Sequence, residues 1–484
     1  MKYVSIFSAL FLIFVACKDD NTLAEIEGVK TSTLGLSPSN TAEENVKILQ
    51  NALDSFRCVV IDTPGIYDLD ETIFLDDNTK ITLKKGVYIR KQRNKDGKGA
   101  EYAFINRGAY YNTIQYNTIQ YNENIEINGL NLICNGLDDN LDKIQGLVGQ
   151  ISFFRVRNLT IKNFTCSDLL KNRFCIQIAE FNNIQIENVY IEGDKDGIHL
   201  GVGKGFVIRN GVFRTLDDPI ALNAHDYDVS NPTVGWIEDG LIENCYDLPY
   251  PTKSYYFCRI LAGSWIDWYS GMKLQKSDIV VNNGRLYRVV APPDEKIYTS
   301  YTPPTHTNGY EILDGINWYM MQEGAIYNAG CKNIHFKDIF LKRERMSAFD
   351  FHFDQDKWSR SYYPGSIPPI QNNFTFENIH IENKMDMLIY ALTPIDDIRF
   401  IHSKWSSGSI QLDALEGLDY PTAKITLDGI HFMPNYGIGI SDIKNRPINL
   451  ELKNSTVSNT GFRLPLHGNI TTSSIDIPYY FLKP

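Results

Sequence analysis

Three short stretches decide the fold: Ile176-Gln-Ile178, Ile198-His-Leu200 and Ile220-Ala-Leu222. Each has two apolar residues around a central one, and each starts 22 residues after the one before. Alternation with a period of two is typical of a β-strand with one face in an apolar core. A repeat of this length holds one strand-turn-strand coil, and stacked coils bury their apolar positions against one another. The sequence therefore predicts a parallel β-helix.

Two earlier apolar pairs, Phe154/Val156 and Leu132/Cys134, lie at the same interval towards the N-terminus. The sequence therefore predicts a strict 22-residue register. A second motif, Asn followed by alternating apolar residues, supports the repeat. Asn tolerates left-handed backbone, and its amide can bond the Asn one coil away, so asparagine ladders are predicted. A leucine-rich repeat is excluded because its helical half is missing. The motif occurs at Asn124-Ile-Glu-Ile, Asn158-Leu-Thr-Ile, Asn183-Ile-Gln-Ile, Asn333-Ile-His-Phe, Asn373-Phe-Thr-Phe and Asn449-Leu-Glu-Leu.

A helix is predicted at the start of the coils. Thr41 and Glu44 form a capping box, and helical spacing of apolar residues follows over 42–54. This helix would cover the open N-terminal end of the stack, which otherwise exposes an apolar core. The predicted parts of the chain are a signal peptide at 1–16, a tether at 17–40, coils at 41–262 and 323–484, and an inserted β module at 263–322.

The inserted module is rich in aromatic residues and is similar to small chitin-binding-type carbohydrate modules. The similarity rests on Ser277-Asp278, Gly284-Arg-Leu-Tyr287 and Gly315-Ile-Asn-Trp318. Exposed aromatic rings would stack on sugar rings. In so small a unit the same rings could instead form its core, and both interpretations stay open at this point.

The N-terminus has the features of an export signal. A short basic start leads into the apolar run Val4 to Ala16, which is too short to span a bilayer. Phe14-Val-Ala-Cys17 resembles a bacterial lipoprotein cleavage site, and Lys18-Asp-Asp20 resembles the tag of surface-exposed Bacteroidetes lipoproteins. The resemblance implies a lipid on Cys17 and a place on the outer face of the outer membrane. A plain secretory signal with a chance cysteine is the alternative.

Composition excludes one class of partner. The 484 residues include 47 Lys and Arg against 58 Asp and Glu, a net charge of −11, without a basic run. Duplex nucleic acid needs a positive surface, so it is not a predicted partner. The cysteines beyond Cys17 lack metal-binding spacing and mostly fall in apolar strands, which favours buried thiols over a disulfide framework. Because a capped β-helix leaves no sheet edge that must pair, a monomer is predicted.

Three carboxylates are predicted to cluster on one outer face of the coils. Asp196 precedes the strand at Ile198, and Asp217 and Asp218 precede the strand at Ile220, one coil later. Stacked coils lie ~4.8 Å apart, and carboxylates at that range push their pKa values apart, giving one protonated acid and one ionised base. Glycoside cleavage needs such a pair. The alternative is that the aspartates have no catalytic role and only stabilise the turns between strands.

Asp196-Gly-Ile, followed 21 residues later by Asp217-Asp218-Pro-Ile-Ala, resembles the polygalacturonases of glycoside hydrolase family 28. The resemblance covers the N-terminal helix and the coils up to about residue 245. It implies a right-handed, pectin-lyase-like β-helix and a polysaccharide substrate. It also implies inverting hydrolysis with Asp217 as the general acid and with Asp196 and Asp218 activating water.

The chain departs from that family, since its Gly-His-Gly and Arg-Ile-Lys motifs are missing. Other polar residues on the predicted outer face are candidates to bind the substrate, which need not be polygalacturonate and could be anionic. Asp350-Phe-His352-Phe-Asp354 could also hold a divalent cation, although no metal or cofactor is predicted. The candidate substrate-binding residues are His199, His225, Arg259, Asp350 and His352.

Three functions follow from this sequence. The first is a cell-surface glycoside hydrolase with Asp217 as its acid. The second is a polysaccharide lyase, with Arg259 or His352 as a base and a cation to neutralise the substrate carboxylate. The third is a surface lipoprotein that binds glycans without catalysis. Proteins with the same fold can have any of these three functions, so the fold alone does not identify the function.

Overall fold

The computed structural model describes residues 28–109, 121–138, 144–228, 230–253, 255–292, 294, 296–458 and 461–475. The predicted signal peptide, Cys17 and the first part of the tether lie outside these residues. Among the described helices, none has the length and apolarity needed to cross a membrane.

The chain forms a right-handed parallel β-helix, as the sequence predicts, with three faces of parallel strands. The face that carries the candidate site is called the site face. Its strands are Ile73–Leu75, Phe104–Asn106, Ile198–Leu200, Ile220–Asn223, Tyr256–Leu261, Ser347–His352, Met387–Ala391, Ser409–Leu412, Ile440–Asp442 and Leu466–His467. The second face consists of Val29–Lys30, Cys58–Ile61, Lys80–Leu83, Asn122–Asn128, Asp397–Ile401, Ala423–Asp428, Ile448–Lys453 and Ile470–Ile475. The third face consists of Gly65–Leu69, Val87–Lys91, Asn131–Ile133, Lys404–Ser407, His431–Tyr436 and Thr456–Val457.

Longer strands bend around the corners between faces. Gly203–Thr215, Ile237–Asp247, Cys331–Leu341 and Asn372–Ile381 continue from the second face to the third, whereas Ile151–Leu169 and Ile176–Gly193 run through all three. Alternate side chains of these strands point inwards and form one continuous apolar core.

The predicted strict 22-residue register is wrong before residue 176. Ile176 pairs with Ile198 and Ile198 with Ile220, but Ile151 pairs with Ile176 at an interval of 25. Leu132 pairs with Cys166, at an interval of 34. The 34-residue interval arises because the chain makes an excursion after the strand Asn131–Ile133 before it returns to the site face. The 25-residue interval arises from a longer turn over residues 170–175 and a β-bulge between Cys166 and Leu169. Turns between strands absorb such insertions without breaking the coils.

Asparagine ladders join successive coils, as predicted. The Asn158 amide donates to Asn124 Oδ1 at 3.0 Å, and the Asn183 amide donates to Asn158 Oδ1 at 2.8 Å. The φ angle of Asn158 is 54° and that of Asn183 is 59°, left-handed values that Asn adopts more readily than most residues. A second ladder links Asn128, Asn163, Asn188, Asn210 and Asn244.

The predicted helix and inserted module are both present. The helix Ala42–Phe56 carries the Thr41/Glu44 capping box and packs Leu49 and Leu53 into the core at the N-terminal end. The preceding residues form a short 3-10 helix, Thr31–Leu34. The inserted strands are Ile266–Asp267, Ile279–Asn282, Arg285–Val289, Tyr310–Leu313 and Ile316–Glu323 in one sheet, Met272–Leu274 with Tyr298–Ser300, and Gly263–Ser264 with Asn328–Ala329.

Aromatic residues of the module divide between its core and its surface. Tyr287 and Trp318 are buried in a small core of their own, whereas Tyr269 and Tyr301 are exposed. Of the cysteines in the described ranges, all are free thiols and all but Cys58 are buried. Burial in apolar surroundings is the role that the sequence predicts for them.

Candidate active site

The three aspartates predicted as catalytic lie together on the site face. Asp196 and Asp218 occupy equivalent places in adjacent coils, because Gly197 N–H donates to the Asp218 carbonyl at 3.0 Å. One carboxylate oxygen of each of Asp196, Asp217 and Asp218 lies within 4.8 Å of the other two. Asp196 and Asp218 are buried, while the Asp217 side chain is 21% exposed. Asp217 is therefore the member of the cluster that a substrate can reach.

Lys195 joins this cluster, and the sequence analysis missed it. It lies one coil below Asp217 in the same 22-residue interval that relates Asp196 to Asp218. Its Nζ contacts Asp217 Oδ2 and lies 3.7 Å from Asp196 Oδ1. Burial alone would lower the pKa of Lys195, but the nearby carboxylates raise it well above its usual value. An ammonium group thus already sits between two of the three aspartates.

The protonation of the three aspartates differs. Burial pushes the Asp196 pKa upwards, but Lys195 and His199 outweigh it and lower that pKa to about 2. Burial and the neighbouring Asp196 raise the pKa of Asp217. Burial, Asp217 and Asp196 together raise the Asp218 pKa well above its usual range. A proton on this cluster is therefore favoured on Asp217 or Asp218, whose pKa values are raised, over Asp196, whose pKa is lowered.

His199 positions the Asp196 carboxylate. Its Nδ1 lies 3.0 Å from Asp196 Oδ2, and its Nε2 lies 3.5 Å from Asp226 Oδ2. The ring stacks on Phe174 with centroids 4.0 Å apart and is fully buried. His199 was predicted to bind substrate; its burial instead makes it a positioning residue for the carboxylates.

Arg259 connects the aspartate cluster to the next coils. Its guanidinium Nε lies 3.6 Å from Asp218 Oδ2, its Nη2 donates to Asp226 Oδ2 at 3.2 Å, and its Nη1 lies 4.0 Å from Asp354 Oδ1. Asp226 was not among the predicted site residues, and Asp354 was predicted only as part of a possible cation site. The sequence places Asp226 beside His225 and Asp354 two residues after His352, but their contacts with Arg259 required the structure.

His352 is flanked by two carboxylates on its own strand face. Its Nδ1 contacts Asp350 Oδ1, and its Nε2 lies 3.2 Å from Asp354 Oδ1. Burial would lower the pKa of His352, but Asp350 and Asp354 raise it to about 10. The imidazole is therefore positively charged near neutral pH.

Arg259 lies on the same line of the site face as His199, whereas His352 does not. His199 pairs in register with Ala221, and Ala221 with Arg259, so these positions follow one line along the site face. The next residue on that line is Asp350, and His352 pairs with Leu261 instead. His352 still joins the cluster because it lies two residues beyond Asp350 on the same side of the strand.

His225 packs against the start of the inserted module. It is buried against Trp265, with ring centroids 6.1 Å apart, and against the backbone of Gly263. Burial and the charge of Arg288 lower its pKa to about 3, so the ring is neutral. Its contacts join the inserted module to the coils, which does not support the predicted role in substrate binding.

The spacing of the aspartates bears on stereochemistry and on metal binding. Carboxyl pairs of inverting glycosidases are usually about 6.5–9.5 Å apart, whereas the closest oxygens of Asp196, Asp217 and Asp218 lie within 4.8 Å. This spacing does not by itself support the inversion that the family resemblance implies. The same oxygens could hold a divalent cation, but the Lys195 ammonium supplies positive charge at that place.

Comparison with known proteins finds similar solved structures. No protein-family model and no curated protein sequence matches the chain. A hyperthermoactive exopolygalacturonase from Thermotoga maritima is similar at 12% identity over 92% of each chain, with a TM-score of 0.44. A family 28 exopolygalacturonase from Yersinia enterocolitica is similar at 12% identity over 90% of this chain and 78% of that chain, with a TM-score of 0.40.

The surface adhesin PfbA of Streptococcus pneumoniae is similar at 14% identity over 86% of this chain and 92% of that chain, with a TM-score of 0.45. At these identities the similarities concern the β-helix fold alone. A shared fold does not determine function, so function has to be argued from the residues of the site.

Proposed function

We propose that the protein hydrolyses glycosidic bonds of a polysaccharide, with Asp217 as the general acid. The observation that carries the proposal is a cluster of three aspartates with unequal pKa values, of which the reachable one, Asp217, has a raised pKa. Glycoside hydrolysis needs one protonated and one ionised carboxyl group. Asp196, ionised and held by His199, and Asp218, held by Arg259, complete the set.

The shape of the site face supports a polymeric substrate. The line of outward positions through Arg259 and Asp350 continues over four more coils with polar or aromatic side chains. At ~4.8 Å per coil these positions extend for roughly 20 Å, which is enough for several sugar rings. The continuing positions are Tyr390, Gln411, Ser441 and His467.

The contacts of the basic residues disfavour a lyase. A lyase needs a basic group able to take a proton from the sugar. Arg259 contacts Asp218 and Asp226, and His352 is charged and contacts Asp350. Both predicted bases are therefore paired with carboxylates and positively charged, so neither is ready to take a proton.

Product analysis tests the proposed reaction. The purified protein is incubated with a panel of pectic, algal and host polysaccharides, and both reducing ends and ultraviolet absorbance are followed. Hydrolysis predicts new reducing ends without the absorbance of an unsaturated uronate. The absorbance would establish a lyase, and binding without products on the whole panel would favour a glycan-binding protein.

Replacing Lys195 by methionine should move the pH profile of kcat/KM. The Lys195 ammonium lowers the pKa of both Asp217 and Asp196, so its removal raises both. A general acid loses activity as pH rises through its pKa, and the alkaline limb should therefore shift to higher pH. The acid limb should shift the same way, because Asp196 must be ionised. Lys204→Met, at an exposed lysine, is the control, and an alkaline limb that stays in place in Lys195→Met would contradict the assignment.

We further propose that the protein is an outer-membrane lipoprotein anchored through Cys17, on the strength of Phe14-Val-Ala-Cys17 and Lys18-Asp-Asp20. Labelled palmitate should be incorporated into the protein in the native host, and Cys17→Ser should abolish the label and release the protein from the membrane fraction. Equal labelling of the variant would overturn the anchor.

A further inference from the structure

A hairpin over residues 355–360 projects from the site face just beyond the strand Ser347–His352. Trp358 near its tip is 45% exposed, and its ring centroid lies 6.4 Å from that of Tyr227. The Tyr227 N–H donates to Asp226 Oδ1 at 2.7 Å, and the other oxygen of Asp226 binds Arg259. The two rings therefore stand at the edge of the aspartate cluster.

The inserted module fixes the tryptophan in this position. Ser277 Oγ donates to the Trp358 carbonyl at 3.0 Å and accepts from the Asp228 N–H at 3.0 Å. Arg360 Nε, at the base of the hairpin, donates to Asp278 Oδ1 at 2.8 Å. Ser277 and Asp278 belong to the module, so the module ties the hairpin with Trp358 to the loop with Tyr227. A ring held by its backbone needs little ordering when a ligand binds.

The charges of the site favour an uncharged ligand. Lys195, Arg259 and His352 each contact at least two carboxylates of the cluster. Lys357 lies on the surface, 5.4 Å from the Trp358 ring centroid, and solvent screens its exposed charge. Six carboxyl groups surround these three cations. With Asp217 and Asp218 protonated, as their raised pKa values favour, the four remaining carboxylates still outnumber the cations. The six carboxyl groups belong to Asp196, Asp217, Asp218, Asp226, Asp350 and Asp354.

We propose that Trp358 and Tyr227 form a subsite that binds an uncharged sugar ring of the polysaccharide beside Asp226 and Arg259, at the edge of the active site. The apolar C–H face of a neutral sugar fits against an indole ring, and a uronate carboxylate would meet the excess of negative charge in the cluster. The proposal rests on the proposed function for its reaction, and it narrows the substrate to a chain with neutral rings at this position. It also gives the inserted module the role of a support for the active site.

Calorimetric binding to proteins that carry Asp217→Asn tests the subsite, because no sugar is consumed. The probes are xylohexaose, mannohexaose, laminarihexaose and trigalacturonate. At least one neutral hexaose should bind more tightly than trigalacturonate. Adding Trp358→Ala should weaken that binding about tenfold, whereas Trp358→Phe should retain most of it because a ring remains. Tyr88→Ala, at an exposed ring on the third face, should leave binding unchanged.

The proposal is overturned by trigalacturonate binding at least as tightly as every neutral probe, by unchanged affinity in Trp358→Ala, or by no binding of any probe. These outcomes are separable from failure of the proposed function. Suppose that the protein binds a hexaose through Trp358 but releases no product when Asp217 is intact. The subsite is then supported, and the proposed hydrolase activity is contradicted.

Discussion

Asp217→Asn is expected to lower kcat/KM by about 10²–10⁴-fold, the contribution usual for a general acid. Asparagine keeps the size of the side chain but has no proton to give to the leaving oxygen. The fold should be unaffected, because Lys195 still lies 3.7 Å from Asp196 after the change. The measurement is the initial rate on the polysaccharide that the wild-type protein cleaves.

Asp96→Asn, at an exposed loop aspartate, is the matched control and should keep wild-type activity. Thermal unfolding of both variants shows whether either has lost stability. A folded Asp217→Asn variant with an unchanged rate would remove Asp217 from the mechanism, and the protonated Asp218 would then be the next carboxyl to replace.

Arg345→Met is expected to lower the free energy of unfolding by about 3–5 kcal/mol, the usual cost of breaking a buried ion pair from one side. Arg345 Nε donates to Asp247 Oδ2 at 2.6 Å and its Nη2 donates to Asp247 Oδ1 at 2.9 Å, and both side chains are fully buried. Methionine fills similar volume but leaves the Asp247 carboxylate without its cation. Urea unfolding measures the change.

Arg399→Met provides the comparison, because Arg399 is half exposed and pairs with Asp397 at 2.9 Å on the surface. Its removal should cost about 0–1 kcal/mol. A loss in Arg345→Met no larger than that of Arg399→Met would show that the buried pair contributes no more than a surface pair.

The fold was predictable because one physical requirement recurs in every coil. Ile176, Ile198 and Ile220 must all face the core, and the Asn at each corner must adopt left-handed backbone, so both leave a periodic trace in the sequence. The exact register before residue 176 was not predictable. An excursion between strands changes the interval without changing which side chains are buried.

The site was predictable only where it follows the same repeat. Asp196 and Asp218 come together because they are one coil apart, and Lys195 with Asp217 follows the same interval, a signal that was present and overlooked. The contacts of Arg259 with Asp226 and Asp354 depend on how two loops fold back over the site face. Periodicity carries no information about such loops.

Cleavage in water enriched in ¹⁸O tests the central claim most directly. Hydrolysis through Asp217 predicts that each new reducing end carries one ¹⁸O atom by mass spectrometry, and that the Asp217→Asn variant forms none above background. Products without ¹⁸O and with an unsaturated terminal sugar would contradict the account, because elimination breaks the bond without adding water.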